Sequence, residues 1–116
     1  MAKYAALIYG NEAGRASMTP EEGAKVLQAD GDYTAAVVAA GVMAGGEGLQ
    51  GTNTATTIRV RNGSVSTTDG PFAETKEQLG GFYIFDVKDL DEAIEWAAKI
   101  PGASSGAVEV RPVIVM

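Results

Sequence analysis

"GGFYIFDVKDLDEAIEWAAKIP", residues Gly80 to Pro101, carries a strand, a helix start and a helix stop in one unbroken line. From Gly80 to Val87 the apolar side chains do not alternate with polar ones. Phe82 and Ile84 point one way in an extended chain while Tyr83, Phe85 and Val87 point the other, so the strand is apolar on both faces. Asp89 then serves as a helix N-cap with Glu92 as its partner three residues on. Leu90, Ala93, Ile94, Ala97 and Ile100 recur at helical spacing as a stripe expected to be buried. Lys99 suits the negative end of that helix and Pro101 stops it. Glycine and serine from Gly102 to Gly106 lead into a last strand, expected over Val108 to Val115.

Upstream, "KYAALIY" from Lys3 to Tyr9 is a short apolar strand, ended by a loop with Gly10, Asn11 and Gly14. "TPEE" from Thr19 to Glu22 starts a helix with three agreeing signals: Thr19 as N-cap, Pro20 in the first turn and Glu22 closing a capping box. Val26, Tyr33, Val37 and Ala40 recur down to Gly41, a good stop, and Gly31 marks the point where a kink or break is expected. Val42 to Leu49 reads as a glycine-rich second strand. In "TTIRVRNGSVSTT", Asn62-Gly63 is the favoured two-residue hairpin turn. That register sets Val60 opposite Val65 and Ile58 opposite Thr67, with Arg59 and Arg61 on the other face. The order is strand, helix, strand, inserted hairpin, strand, helix, strand. It predicts one α+β domain over residues 1–116, a ferredoxin-like split β-α-β arrangement with an inserted β-hairpin.

Composition narrows the chemistry. The 116 residues include no cysteine and no histidine, which removes disulfides, thiol nucleophiles, imidazole proton shuttles and the usual zinc sites. Acid-base work must therefore fall to Asp, Glu, Lys or Tyr, or to a borrowed cofactor; the residues themselves call for no particular cofactor and no metal. Asp30 and Asp32 are too few for a calcium site, and "GGEG" at Gly45 to Gly48 lacks the strand-to-helix setting of a phosphate loop. A net charge of −6 with no basic run argues against nucleic acid or a membrane surface as partner. No apolar run is long enough to span a bilayer and no leader pattern opens the chain, so a cytoplasmic protein is expected.

The strands demand more shelter than the helices can give. Tyr4, Ala6 and Ile8 oppose Ala5, Leu7 and Tyr9 on the first strand, so it too is apolar on both faces, as buried strands are. Two helices cover one face only. The other is expected to pack sheet against sheet on a second copy, making a homodimer, unless the hairpin or the C-terminal tail folds back over it. In this topology the connections Gly10 to Met18, Gly51 to Gly80 and Pro101 to Gly106 gather at one rim of the sheet, where binding groups tend to sit.

"TDGPFAETKEQLGGFY", Thr68 to Tyr83, resembles the signature of the DGPF branch of the YCII-related proteins. Further blocks extend the likeness over nearly the whole chain: "YAALIYGNEA" at Tyr4 to Ala13, "AAGVMAGGEGLQ" at Ala39 to Gln50, "TATTIRVRNG" at Thr54 to Gly63, "DLDEAIEWAAKIP" at Asp89 to Pro101 and "VEVRPV" at Val108 to Val113. The resemblance implies a dimeric α+β barrel, in a superfamily that also holds small lactone isomerases and cofactor-free monooxygenases. Some YCII-related proteins carry a His and an Asp that suggest enzymatic activity; here Asp69 matches the Asp, and no His is present. The DGPF branch also looks like a group that associates with sigma factors, which implies a protein partner near transcription initiation.

Two functions follow. One is a small-molecule site or proton-transfer enzyme in a cleft of the dimer, with Asp69 as candidate catalytic base and Glu74, Lys76, Tyr83 and Arg111 as candidate ligand-binding groups. The other is a regulatory module whose charged loops dock a protein. Each residue also has a plainer role. Gly70, Pro71 and Phe72 shape a rigid turn, with Phe72 expected to anchor the loop in the core, and Asp69 can bond its own backbone there. Glu74, Lys76 and Glu77 can be a solvated turn; Tyr4, Tyr9 and Tyr83 can be core; Arg59 and Arg111 can pair with carboxylates; Trp96 can be helix packing.

Overall fold

In the computed structural model, which describes residues 1–116, the main sheet has four antiparallel strands: β1 (Ala2–Gly10), β2 (Met43–Gly48), β5 (Gln78–Val87) and β6 (Ala107–Pro112), in the spatial order β2-β5-β1-β6. Between β2 and β5 the chain makes a separate two-stranded sheet of β3 (Thr56–Arg61) and β4 (Ser64–Asp69). The helices are α1 (Glu12–Ala16), α2 (Pro20–Ala39) and α3 (Leu90–Ala98). Because β1 and β2 both run antiparallel to the strand between them, they are parallel to each other with α2 as their crossover; β5, α3 and β6 repeat the arrangement around β1. The α+β class is as expected and the strand order is compatible with a ferredoxin-like fold.

Local signals account for most element ends. Thr19 and Glu22 bond reciprocally, Thr19 N–H to Glu22 Oε1 at 2.9 Å and Glu22 N–H to Thr19 Oγ1 at 3.1 Å, so the capping box forms. These bonds hold the Glu22 carboxyl below its ordinary value. Glu92 N–H donates to Asp89 Oδ1 at 2.9 Å, whereas the Glu92 carboxylate turns back to Lys88 N–H. Asn62 and Gly63 hold φ of 51° and 78°, the left-handed pair that a two-residue hairpin turn needs, and Val60 and Ile58 face Val65 and Thr67.

Other boundaries move. Helix α2 runs through Gly31 without a break, and Tyr33 and Val37, just beyond it, hold the helix on the sheet. The expected loop after β1 contains helix α1, capped by Asn11, whose side chain accepts from Gly14 N–H. Strand β5 starts at Gln78, two residues early. Strand β6 ends at Pro112, which has no N–H for a ladder; Val113 N–H still donates to Lys3 O at 2.9 Å.

The core lies on the helix side of the main sheet. Ala6, Phe85 and Val87 from the strands meet Tyr33 and Val37 from α2 and Ala93 and Ala97 from α3. Phe85, Val37 and Val87 are fully buried. Tyr33 sits edge-on to Tyr83, with ring centres 5.3 Å apart, and Tyr83 stacks on Phe85 at 5.9 Å. Burial, with Tyr83 alongside, pushes the Tyr33 hydroxyl well above its ordinary value, and that hydroxyl donates to Trp96 O at 2.7 Å. Leu90 and Ile94, expected in the buried stripe, are about half exposed because α3 rests on the sheet through its small residues Ala93 and Ala97.

The opposite face has no cover. Ala5, Leu7, Phe82 and Ile84 share it and are half-buried, shielded by their neighbours within the sheet alone. Neither the hairpin nor the tail folds back over it: the hairpin strands contain no buried residue, and Ile114, Val115 and Met116 are exposed. The result is a slab of 45 × 44 × 19 Å with a radius of gyration of 16.1 Å, against about 13 Å for a compact chain of this length.

Candidate functional site

The register of the main sheet brings three connections to one rim. Gly10 pairs with Gln78, Tyr9 with Ala107 and Gly48 with Gly81, so the end of β1, the end of β2 and the starts of β5 and β6 lie together. The connection from β2 to β5 forms a cleft of about 290 Å³ there, lined by Thr52 and Asn53 from its first part and by Gly70, Pro71, Ala73, Glu74, Thr75 and Gln78 from its last. The signature segment therefore forms a wall of a site.

A polar lock holds that wall. Gln78 Nε2 donates to Thr75 O at 2.6 Å, and Gln78 Oε1 accepts from Glu12 N–H at 3.0 Å, so one side chain joins the signature loop to the start of α1. The Glu12 carboxylate accepts from Thr52 N–H at 2.8 Å and from Thr52 Oγ1 at 2.7 Å, joining α1 to the opposite wall. Charge-assisted bonds of this length hold a loop more firmly than neutral ones. At the base of the hairpin, Gly70 N–H donates to Ala55 O at 2.7 Å and Thr57 Oγ1 donates to Gly70 O at 2.8 Å. Gly70 sits at φ 107°, a conformation that a residue with a Cβ adopts only under strain, so glycine is needed to turn from β4 into the loop.

The sequence-derived candidates divide by place. Glu74 lines the cleft, as do Gly70 and Pro71. Asp69 ends β4 at the approach to the cleft, exposed and paired across the hairpin with Thr56. Lys76 is exposed on the same loop and joins neither of the two ion pairs in the structure. Tyr83 lies under α2, its hydroxyl 2.6 Å from Thr34 Oγ1, away from the rim. Arg111 faces the uncovered side of the sheet opposite Ala5, paired with Glu109 at 3.2 Å. Four residue steps of strand separate it from Ala107 at the rim, about 13 Å. A single protomer does not bring Tyr83 and Arg111 to the cleft.

Phe72 requires a correction, since it is 76% exposed and does not anchor the loop in the core. All of residues 71–77 are exposed, and hydrogen bonds through Thr75 and Gln78 do the anchoring instead. Glu12, Thr52, Asn53 and Gln78 were not singled out from sequence. Asn11 ahead of Glu12 is a capping signal that could have pointed to α1, but Gly14 in its middle hides the short helix. Gln78 lay within the signature, and only the fold shows what it joins.

Comparison with known proteins bears on the whole chain. The model of the YCII-related domain matches residues 2–116. An uncharacterised protein of Rhizobium meliloti (strain 1021) is 40% identical over 111 residues, covering 94% of this chain and 90% of that protein.

Proposed function

This chain belongs to the YCII-related family, and from that premise we propose that it is a small cytoplasmic homodimer of the DGPF branch that binds a small polar molecule at the rim cleft. The observation that carries the proposal is the cleft itself, whose wall is the signature loop and whose two sides are tied through Gln78 and Glu12. A loop with surface duties alone has no need of such a lock. Asp69 ends β4 next to Gly70 of the cleft wall, and for a carbonyl compound held with its acidic C–H at that approach the carboxylate accepts the proton as the C–H electron pair passes to the carbonyl oxygen as an enolate. Glu74, Thr52 and Asn53 supply the polar groups that orient the molecule.

The homodimer, closing sheet on sheet into an α+β barrel, rests on area. The chain exposes 8128 Å², whereas a compact monomer of its mass exposes about 5,900 Å². An excess of roughly 2,200 Å² falls in the range that a large obligate dimer removes from each partner. In the barrel Tyr83 stays in the core, and Arg111 faces the second copy.

The test is ligand-observed NMR with a panel of small neutral, cationic and anionic carbonyl compounds, followed by amide shifts in the protein. Hits should move Asn53 and Gly70 to Thr75 and weaken about tenfold in Glu74→Gln, while Asp69→Asn abolishes turnover but not binding. Hits confined to other surfaces, or none at all, refute the site. The exposed Phe72, flanked by unpaired Glu74, Lys76 and Glu77, favours a second reading in which the loop docks a protein of the sigma-factor kind. In that case charge reversal at Glu74 and Lys76 abolishes sigma-factor pull-down and Asp69→Asn changes little.

A further inference from the structure

The β3–β4 hairpin is short of partners in its own chain. Cross-strand pairing puts Ile58, Val60, Val65, Thr67, Thr56 and Asp69 on one face and the arginines Arg59 and Arg61 with Ser64, Ser66 and Thr68 on the other. The apolar trio on the first face is 63%, 55% and 68% exposed. The hairpin's side-chain hydrogen bonds are all local, Thr57 to Gly70, Arg61 to Val60 and Ser66 to Arg59, and neither ion pair involves it. A two-stranded hairpin in water is marginal at best, so a well-formed turn and register with an apolar side left open call for an outside surface.

We infer that the hairpin is an intermolecular arm whose Ile58, Val60 and Val65 face lies against a second copy of this chain. The occupant is a second copy because the chain's surplus of exposed surface is of the size that large stable dimers remove from each partner, and the open Ile58, Val60 and Val65 face is part of that surplus. Sheet packing alone leaves the arm wet. The arm also explains why the turn into the signature loop starts from a strand end: docking on the partner holds β4 still, and β4 holds Asp69 and Gly70. Each cleft is then steadied by the other protomer. This inference rests on the homodimer proposed above and adds to it which element crosses between copies.

Absence of native cysteine makes the test clean. Val65→Cys and Ser66→Cys place single thiols on the two faces of the arm, and their rates of alkylation by iodoacetamide are compared while sedimentation velocity reports the oligomer. In a dimer, labelling at position 65 should be slower than at 66 by about tenfold or more, and the difference should vanish on dilution to monomer. Equal rates in a protein that sediments as a dimer overturn the arm and leave the sheet-to-sheet dimer standing. Equal rates in a protein that sediments as a monomer overturn both. A second variant, Ile58→Lys, should raise the dimer dissociation constant about tenfold or more with far-UV circular dichroism unchanged, and an unaltered dissociation constant counts against the arm.

Discussion

The helix-covered side of the main sheet and the β3–β4 hairpin carry similar apolar residues and treat them in opposite ways. On the covered side Phe85, Val37 and Val87 are fully buried, and even the polar end of Tyr33 is satisfied by Trp96 O. On the hairpin Ile58, Val60 and Val65 stand more than half exposed with good strand geometry around them. Secondary structure is equally regular in both places; burial is not. The lesson is that a correct local pattern builds an element, whereas a surface from elsewhere must give its apolar face somewhere to go.

The largest effect that tests this contrast compares two phenylalanines. Phe85→Ala removes a fully buried ring and should cost about 3–5 kcal/mol, lowering the melting temperature by roughly 15 °C. Phe72→Ala, at an exposed ring, should change stability by no more than about 0.5 kcal/mol. Equal losses in thermal melts would show that the signature loop is packed after all. A smaller loss is expected at Gly70→Ala. No atom lies near the added methyl, so the penalty is the backbone strain at φ 107°, about 1–3 kcal/mol in urea denaturation. A neutral result there would mean that the turn out of β4 can relax, and that Asp69 is not held.

The smallest effect separates the two regions by pH. The Tyr33 proton is held more tightly in the folded chain than in the unfolded one, whose tyrosine titrates near 10.0. Its contribution is therefore fully present below pH 10 and is lost as the pH rises above that toward the folded value. Urea midpoints measured from pH 8 to 11 should fall more steeply in the native chain than in Tyr33→Phe. Matching slopes would remove Tyr33 from the account of the covered core.

Much of this was legible in the residues. The capping box at Thr19 and Glu22, the stop at Gly41, the Asn62-Gly63 turn and its register depend on neighbours within a few positions, and each formed as expected. Apolar residues on both faces of Tyr4 to Tyr9 and Phe82 to Val87 announced a sheet with one face too many for two helices. The site was legible in part, because the signature loop does line a cleft. Its polar lock was not, since Glu12 meets Thr52 forty positions away and Gln78 sixty-six positions away.

What the sequence determined alone is therefore the set of elements, their facing residues and the demand for more cover. Those follow from short-range sterics, capping and the two-residue period of a strand. The tertiary structure alone decided that Gly31 does not break α2, that Phe72 points to solvent while Thr75 and Gln78 tie the loop, and that Tyr83 and Arg111 sit far from Glu74. These depend on which distant surfaces meet, and a chain acquires such neighbours only when its sheet has closed.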